Sequence, residues 1–144
     1  MIAGTLRPPR ALAAAVGLWS ALAAFLLVRT ALAWTERPGL ERRMVESGAV
    51  DAAGAATATR EALLLDTGIA VVFAAGYLLA GALLRGRRPW ARVGVCALFA
   101  VQLVLVLGSR TFSAANLVVL GLGAAAVWCS WTRSSTEWVT GEHE

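Results

Sequence analysis

Residues 83–94 read LLRGRRPWARVG, a short basic segment between two long apolar stretches of the chain. Gly86 and Pro89 are residues that interrupt helices, and Trp90 stands where an interfacial aromatic side chain would lie. The segment therefore predicts a turn at residues 85–92 between two membrane-spanning helices. The basic residues of this turn are Arg85, Arg87, Arg88 and Arg92.

The composition places the whole chain in the membrane class. Hydrophobic residues make up 58% of the 144 residues and charged residues 15%, and the mean hydropathy is +0.68. Soluble domains are about 45–50% apolar and about 25% charged. The net charge of +4 would suggest nucleic acid as a partner, but one short basic turn offers no element that reads bases. The lipid bilayer is the expected partner, and nucleic acid is not.

Four apolar stretches flank the basic segments. They predict membrane spans at about residues 11–34, 62–84, 91–109 and 113–132, because a span needs roughly 20 apolar residues. The expected fold is all-α: one integral membrane domain over residues 1–144, built as a four-transmembrane-helix bundle. A cleaved signal peptide is the other interpretation of the N-terminal segment. Its 18-residue apolar core and the charge at Arg29 disfavour that interpretation.

The arginines also predict the orientation, since they favour the cytoplasmic side of short loops. The N-terminal tail carries Arg7 and Arg10 without an acid, and the tail at residues 133–144 begins with Arg133. By contrast, the loop at residues 35–61 balances four arginines against five acids. Both termini and the 85–92 turn are therefore expected to be cytoplasmic in a bacterial inner membrane.

The outer loop at residues 35–61 is expected to be partly helical. Residues 40–47, LERRMVES, predict a short charged helix at the interface. Residues 52–65, AAGAATATREALLL, predict a helix that continues into the second span.

Two ionisable residues, Arg29 and Asp66, lie inside the predicted spans, where charges are costly and often functional. Trp34 marks the outer end of the first span and Glu61 that of the second, and each charge lies five residues inward of its marker. At 1.5 Å per residue both lie about 7–8 Å below the same surface. This matched depth predicts an intramembrane charge pair. Two interpretations stay open: a proton or anion site in which Asp66 titrates, or a purely structural pair.

The other polar residues within spans are amides and thiols. Gln102 and Asn116 are expected to form interhelical hydrogen bonds, with a lining for a small permeant as the other interpretation. Cys96 and Cys129 lack C-x-x-C spacing and are expected to be small buried hydrophobic residues rather than a redox pair.

Small residues recur at helical spacing and predict close helix contacts. They are Ala13, Gly17 and Ala21 in the first span and Gly121, Ala125 and Cys129 in the fourth. Packing within the bundle explains them. A seam with a second copy or with another membrane protein explains them equally well.

The chain resembles small four-span membrane proteins of high-GC Gram-positive bacteria, a family without an assigned activity. The resemblance rests on Leu18-Trp19 in the first span, on the turn at residues 86–92 and on Trp138 in the tail. Pro89 departs from the family pattern, because it separates the arginines from the tryptophan. The resemblance implies the four-span architecture and transfers no catalytic residue.

The sequence contains no constellation that predicts catalysis, a cofactor or a metal site, and its one histidine, His143, lies in the tail. The expected function is therefore non-enzymatic: an accessory or interaction subunit, or a self-associating membrane component. The alternative is a small oligomeric transporter or channel that uses Arg29 and Asp66. An envelope or lipid-active enzyme that uses acids of the outer loop is a third interpretation.

Overall fold

The computed structural model describes residues 10–86, 88–109 and 113–132, and every regular element within those residues is an α-helix. In chain order the helices are α1 (Arg10–Thr35), α2 (Arg37–Glu46), α3 (Ala55–Arg85), α4 (Trp90–Gly108) and α5 (Ala114–Ser130). The expectation of an all-α fold is therefore confirmed for the described part of the chain. The predicted tail at residues 133–144 lies outside it.

Three of the described helices, α1, α3 and α4, are long and apolar enough to cross a membrane. With 26, 31 and 19 residues, they are about 39, 46 and 28 Å long, and a hydrocarbon core is about 30 Å thick. The fourth apolar helix, α5, has 17 residues. The fold is thus compatible with an integral membrane protein, and its four apolar helices expose large hydrophobic side chains as well as burying others, as membrane helices do.

The four apolar helices, α1, α3, α4 and α5, alternate in direction. Near one end of the molecule Trp34 of α1 donates a hydrogen bond to Thr67 of α3 (Nε1 to Oγ1, 2.9 Å). Towards the other end Val16 of α1 lies beside Gly81 of α3, so α1 and α3 are antiparallel. Helix α1 packs most extensively against α3 and α5, and α4 contacts α3 more than it contacts α5. Helix α2 lies at one end, which is called the α2 end below.

Aromatic side chains form the middle of the core. The rings of Trp19 and Tyr77 stack with their centroids 5.1 Å apart, and both side chains are fully buried. Phe99 meets Trp19 edge-on at 6.2 Å, and Phe73 packs beside Tyr77 at 6.2 Å. Gly123 of α5 makes room for this cluster, because a Cβ atom there would overlap the ring of Phe99.

The segment between α1 and α3 is helical over part of its length and packs on α3. Helix α2 occupies residues 37–46, close to the predicted helix at 40–47. Arg37 bonds Glu41 one turn along (Nε to Oε1, 2.8 Å) and reaches the carbonyl of Ala56. Thr59 donates to the sulfur of Met44 at 3.3 Å. Helix α3 starts at residue 55, within the segment 52–65 that was expected to continue as helix into the second span, so residues 35–61 contain its first two turns.

The basic turn is shorter than its charge pattern predicted. Pro89 adopts helical angles (φ −64°, ψ −34°) at the N-cap of α4, which then begins at Trp90. Proline at a helix start loses no hydrogen bond, so it begins α4 here instead of extending the turn. Arg92 is consequently buried in the first turn of α4, with its guanidinium 5.8 Å from the centre of the Trp131 ring. Arg92, which the sequence placed both in the turn at 85–92 and in the span at 91–109, therefore belongs to α4 in the structure.

The other basic residues of the predicted turn have different positions. Arg85 is the last residue of α3, and Arg88 lies in the connection to α4; both are exposed. Arg87 lies outside the described residues. In the described part of the chain, the exposed positive charge at this end therefore comes from residues 85 and 88 together with Arg10 at the start of α1.

Candidate functional site: a polar cavity at the α2 end

The structure brings Arg29 of α1 and Asp66 of α3 together. Their side chains face each other with Nη2 of the arginine 3.7 Å from Oδ1 of the aspartate. A well-formed charge-assisted hydrogen bond is about 2.7–2.9 Å long, so the two charged groups are close enough to attract each other but do not form a direct hydrogen bond. The side chains are 40% and 41% exposed, respectively. Both charged groups are therefore accessible from outside the packed core.

Each charge has a further neutral partner. Arg29 donates through Nη1 to Oδ1 of Asn116 on α5 at 3.3 Å. Asp66 accepts at Oδ2 from the hydroxyl of Thr30, the residue that follows Arg29, also at 3.3 Å. Asn116 is held in turn by the start of α5, where the Ser113 hydroxyl accepts from its backbone N–H. The pair is thus positioned by three helices.

Gln102 of α4 lies deeper than the charge pair. Its Oε1 accepts a hydrogen bond from the hydroxyl of Tyr77 on α3, and both residues are buried. The two amides therefore each bond a side chain of another helix: Gln102 to Tyr77 and Asn116 to Arg29. Thr30, the partner of Asp66, was not among the residues singled out from the sequence, whereas Tyr77 was expected to pack in the core or to line a cleft for a lipid or another hydrophobic ligand.

All four polar residues proposed from the sequence line one cavity of about 300 Å³. Its wall contains side chains from α1, α3, α4 and α5. They are Leu26, Arg29, Thr30, Asp66, Ile69, Ala70, Phe73, Gln102, Leu105, Val106, Ser109 and Asn116. The volume gives room for roughly ten water molecules at about 30 Å³ each. A site of this size has room for a small solute or one lipid headgroup.

Below the cavity the core is closed by aromatic rings. Phe73 lines the cavity itself, and the stacked Trp19 and Tyr77 lie beneath it with no exposed surface. On the far side of this layer, the indole N–H of Trp19 donates to the Ser130 hydroxyl at 3.3 Å. The cavity therefore ends at the middle of the molecule.

The cavity also has an opening on its side, between α3 and α4. These helices touch where Gly76 faces Leu98, since a Cβ atom at Gly76 would lie 2.6 Å from a methyl group of Leu98. Two turns further towards the α2 end, the same helix faces carry Ile69 and Leu105. Both line the cavity, yet they are 49% and 48% exposed. Residues on facing stripes would be buried if the helices stayed in contact, so α3 and α4 separate towards the α2 end.

A second, apolar groove lies between α4 and α5, near the opposite end of the molecule. It is lined mainly by hydrophobic side chains and includes Cys96, Trp128 and Trp131. The indole N–H of Trp131 lies 3.2 Å from the Cys96 sulfur, and Cys96 and Cys129 are both free thiols.

The polar cavity brings together the polar side chains that were singled out within the predicted spans. In those residues no group of three or more His, Cys, Asp or Glu side chains is placed to hold a metal ion. Comparison with protein-family models, with curated protein sequences and with solved structures finds no match for the chain. The arrangement itself defines the class: a helical, membrane-compatible protein with a small polar cavity at one end.

Proposed function

We propose that this is a four-span protein of a bacterial cytoplasmic membrane, with both termini cytoplasmic and the α2 end outside. The three long apolar helices support membrane insertion. Helix α5 is assigned as the fourth span for two reasons: its 17 residues extend about 25 Å, and it packs antiparallel to the long apolar helix α1. Arginine without balancing acids at residues 85–92 supports the assignment of that end to the cytoplasm.

The orientation is testable by labelling single cysteines in intact cells. Cys96 and Cys129 are replaced by serine, and a cysteine is introduced at the exposed positions Arg43 on α2 or Arg88 in the basic turn. A maleimide that cannot cross membranes is expected to label the Arg43→Cys variant in intact cells and the Arg88→Cys variant only after lysis. The reverse labelling, or labelling of both in intact cells, contradicts the topology.

The protein acts as a non-enzymatic binding or accessory subunit, and the cavity is its binding site. The observation that carries this proposal is the meeting of Arg29, Asp66, Gln102 and Asn116 on one cavity wall. Intramembrane polar groups are costly, so their concentration around an accessible space is a functional-site hypothesis. An arginine, a carboxylate and two amides offer donors and acceptors for a small polar ligand.

The transporter alternative requires more of this fold than binding does. A permeant would have to pass the stacked rings of Trp19 and Tyr77, which close the core below the cavity. A path would therefore need a second conformation or a seam between copies. If it exists, Asp66→Asn abolishes pH-dependent flux in proteoliposomes.

Native mass spectrometry tests the binding proposal. The protein is purified gently from its own membrane, and its intact mass is recorded while lipids are stripped stepwise. We expect a small molecule to be retained with a simple stoichiometry by the wild type and lost by Ala70→Leu, which fills the cavity. Ala75→Leu, on an exposed part of the same helix, is the matched control. Equal retention of the small molecule by all three proteins, after the mass of each polypeptide is subtracted, contradicts a binding cavity.

Self-association is a second candidate function, favoured by the small-residue stripe of α1. Ala13, Gly17 and Ala21 are all exposed, and no atom lies within 4 Å of a Cβ built at Gly17. The stripe is therefore not used for packing within the described part of the chain. Gly17→Leu is expected to reduce the mass of the intact complex to that of the monomer, whereas Ala14→Leu, exposed beside the stripe, leaves it unchanged. A wild-type protein that is already monomeric rejects this candidate.

A further inference from the structure

We infer that the cavity binds the zwitterionic headgroup of a membrane phospholipid that carries a primary ammonium group. This inference deepens the proposed binding function and rests on it. Its basis is the joint geometry of the charge pair, the cavity and the opening between α3 and α4.

The charges in the cavity select for a zwitterion. Arg29 and Asp66 cancel each other, so a ligand with a net charge would leave one unbalanced charge at a site within the membrane, where charges are costly. A zwitterion satisfies both: its phosphate bonds the guanidinium of Arg29, and its ammonium bonds the carboxylate of Asp66. The 3.7 Å separation of the pair means that no tight bond has to be broken to admit it.

Neutral neighbours complete the headgroup site. Arginine forms bidentate bonds with phosphate oxygens, and its fork has five N–H donors, one of which is directed at Asn116. Asp66 accepts from Thr30 through Oδ2, and its other oxygen faces the arginine. A primary ammonium supplies three donors to such a carboxylate, whereas a quaternary ammonium supplies none. The site should therefore distinguish ethanolamine from choline headgroups.

The side opening argues for a lipid rather than a free solute. Ile69 and Leu105 flank the gap between α3 and α4, and both present apolar side chains that are half exposed. In a membrane this gap faces acyl chains. A headgroup can therefore enter the polar cavity while its chains stay in the bilayer, so the ligand need not leave the membrane.

The probe is an equimolar mixture of phosphatidylethanolamine, phosphatidylcholine and phosphatidylglycerol in nanodiscs. After release, native mass spectrometry identifies the lipid that stays bound to the full chain. We expect wild type to retain the ethanolamine lipid about tenfold over the other two. Asp66→Asn should abolish the preference for the ethanolamine lipid over the anionic glycerol lipid, because Arg29 is then the one charge of the pair that remains, and Arg29→Gln should lose all three lipids. Equal retention of the three lipids by wild type overturns the inference, as does an ethanolamine preference that survives Asp66→Asn.

Two further arms separate the lipid from a soluble zwitterion. Ile69→Phe narrows the side opening and is expected to reduce ethanolamine-lipid retention, while Val72→Phe, exposed on the same helix but outside the cavity wall, should not. Glycerophosphoethanolamine, the headgroup without acyl chains, should compete at least tenfold more weakly than the lipid. If it competes equally and Ile69→Phe has no effect, the ligand is a free zwitterion and the lipid assignment is wrong.

The outcomes also separate this inference from the proposed function. A retained molecule that is lost on Ala70→Leu but carries no zwitterion leaves the binding function standing and rejects the headgroup. If no retained molecule is lost on substitution of Ala70, Asp66 or Arg29, both the binding function and the headgroup assignment are rejected.

Discussion

Replacement of Asp66 by asparagine removes one charge from the cavity with almost no change of shape. The asparagine amide oxygen can still accept from Thr30, whose hydroxyl bonds Oδ2 of Asp66 at 3.3 Å. The variant therefore isolates the attraction between Arg29 and the carboxylate. It distinguishes an accessible binding site from an ion pair that holds the helices together.

The size of the effect follows from the separation and the exposure of the pair. At 3.7 Å and an effective dielectric constant of about 20, the Coulomb attraction is about 4.5 kcal/mol before any cost of desolvation. Both side chains are about 40% exposed, so solvation and screening offset most of it. Exposed pairs are measured at about 0.2–1 kcal/mol, and polar pairs within membranes average about 0.6 kcal/mol. We expect Asp66→Asn to lower the free energy of unfolding by about 1 kcal/mol or less.

Reversible unfolding in mixed micelles measures this change. The fraction of denaturing detergent is raised while tryptophan fluorescence reports loss of the packed core, in which Trp19 is fully buried. Arg29→Gln and the double variant complete a double-mutant cycle with an expected coupling of about 0.5–1 kcal/mol. Glu61→Gln, exposed on the same helix, is the matched control and should have no measurable effect. A loss above about 3 kcal/mol is the signature of a broken buried pair, and would refute the assignment of these charges to an accessible site.

Two further predictions concern the packing around the cavity. Gly123→Ala places a Cβ atom against the Phe99 ring and should lower the free energy of unfolding by about 1–3 kcal/mol in the same assay. Gly121→Ala is the control: no atom lies within 4 Å of its Cβ position, so it should be neutral or stabilise the protein by about 0.5–1 kcal/mol. Equal effects of the two substitutions would contradict the packing of α4 on α5. Tyr77→Phe and Gln102→Leu should each cost about 1–3 kcal/mol, because each leaves a buried partner unsatisfied. The double variant should then be clearly less destabilised than the sum of the two single variants, and a purely additive result would show that the two side chains do not bond.

The sequence predicts the helices well because helical membrane segments follow a simple rule. Length and apolar content locate them, and the ends of α1 and α4 fall within one residue of the predicted spans. The helical continuation of the second span was expected over residues 52–65, and α3 begins within that segment, at Ala55. Hydropathy alone would have begun the helix at residue 62, because residues 55–61 carry alanine, threonine and two charges rather than a continuous apolar run.

The charged part of the cavity can be predicted for a similar reason. Arg29 and Asp66 stand out because charges are rare inside spans, and helical rise gives their depth. The hydroxyl groups of Thr30 and Tyr77 give no comparable signal, since both residue types are ordinary in membrane helices. The hydrogen bond between Tyr77 and Gln102 further depends on how α3 and α4 are aligned along their axes. That alignment cannot be predicted from the residue pattern of either helix alone.

The opening at Ile69 and Leu105 is the feature that is hardest to predict from the sequence. Leucine and isoleucine facing lipid look the same in a sequence as leucine and isoleucine facing another helix. Arg92 is the opposite case: its charge assigned it to the basic turn, but Pro89 begins α4 early enough for Arg92 to lie buried in the first turn of that helix, beside Trp131. Helix boundaries, rather than charge alone, decide which residues of a basic segment are accessible.

The distribution of polar groups along the core favours binding over conduction. Arg29, Asp66 and Asn116 lie in the half of the molecule nearer α2, and Gln102 is the deepest polar side chain of the cavity wall. Its partner, Tyr77, directs its ring into the stack with Trp19, so the polar surface stops where the aromatic layer begins. A conducting path needs polar surface on both sides of its narrowest point with a connection between them. Here the opening beside Ile69 leads sideways, and the geometry therefore matches a site that exchanges its ligand with the surrounding membrane.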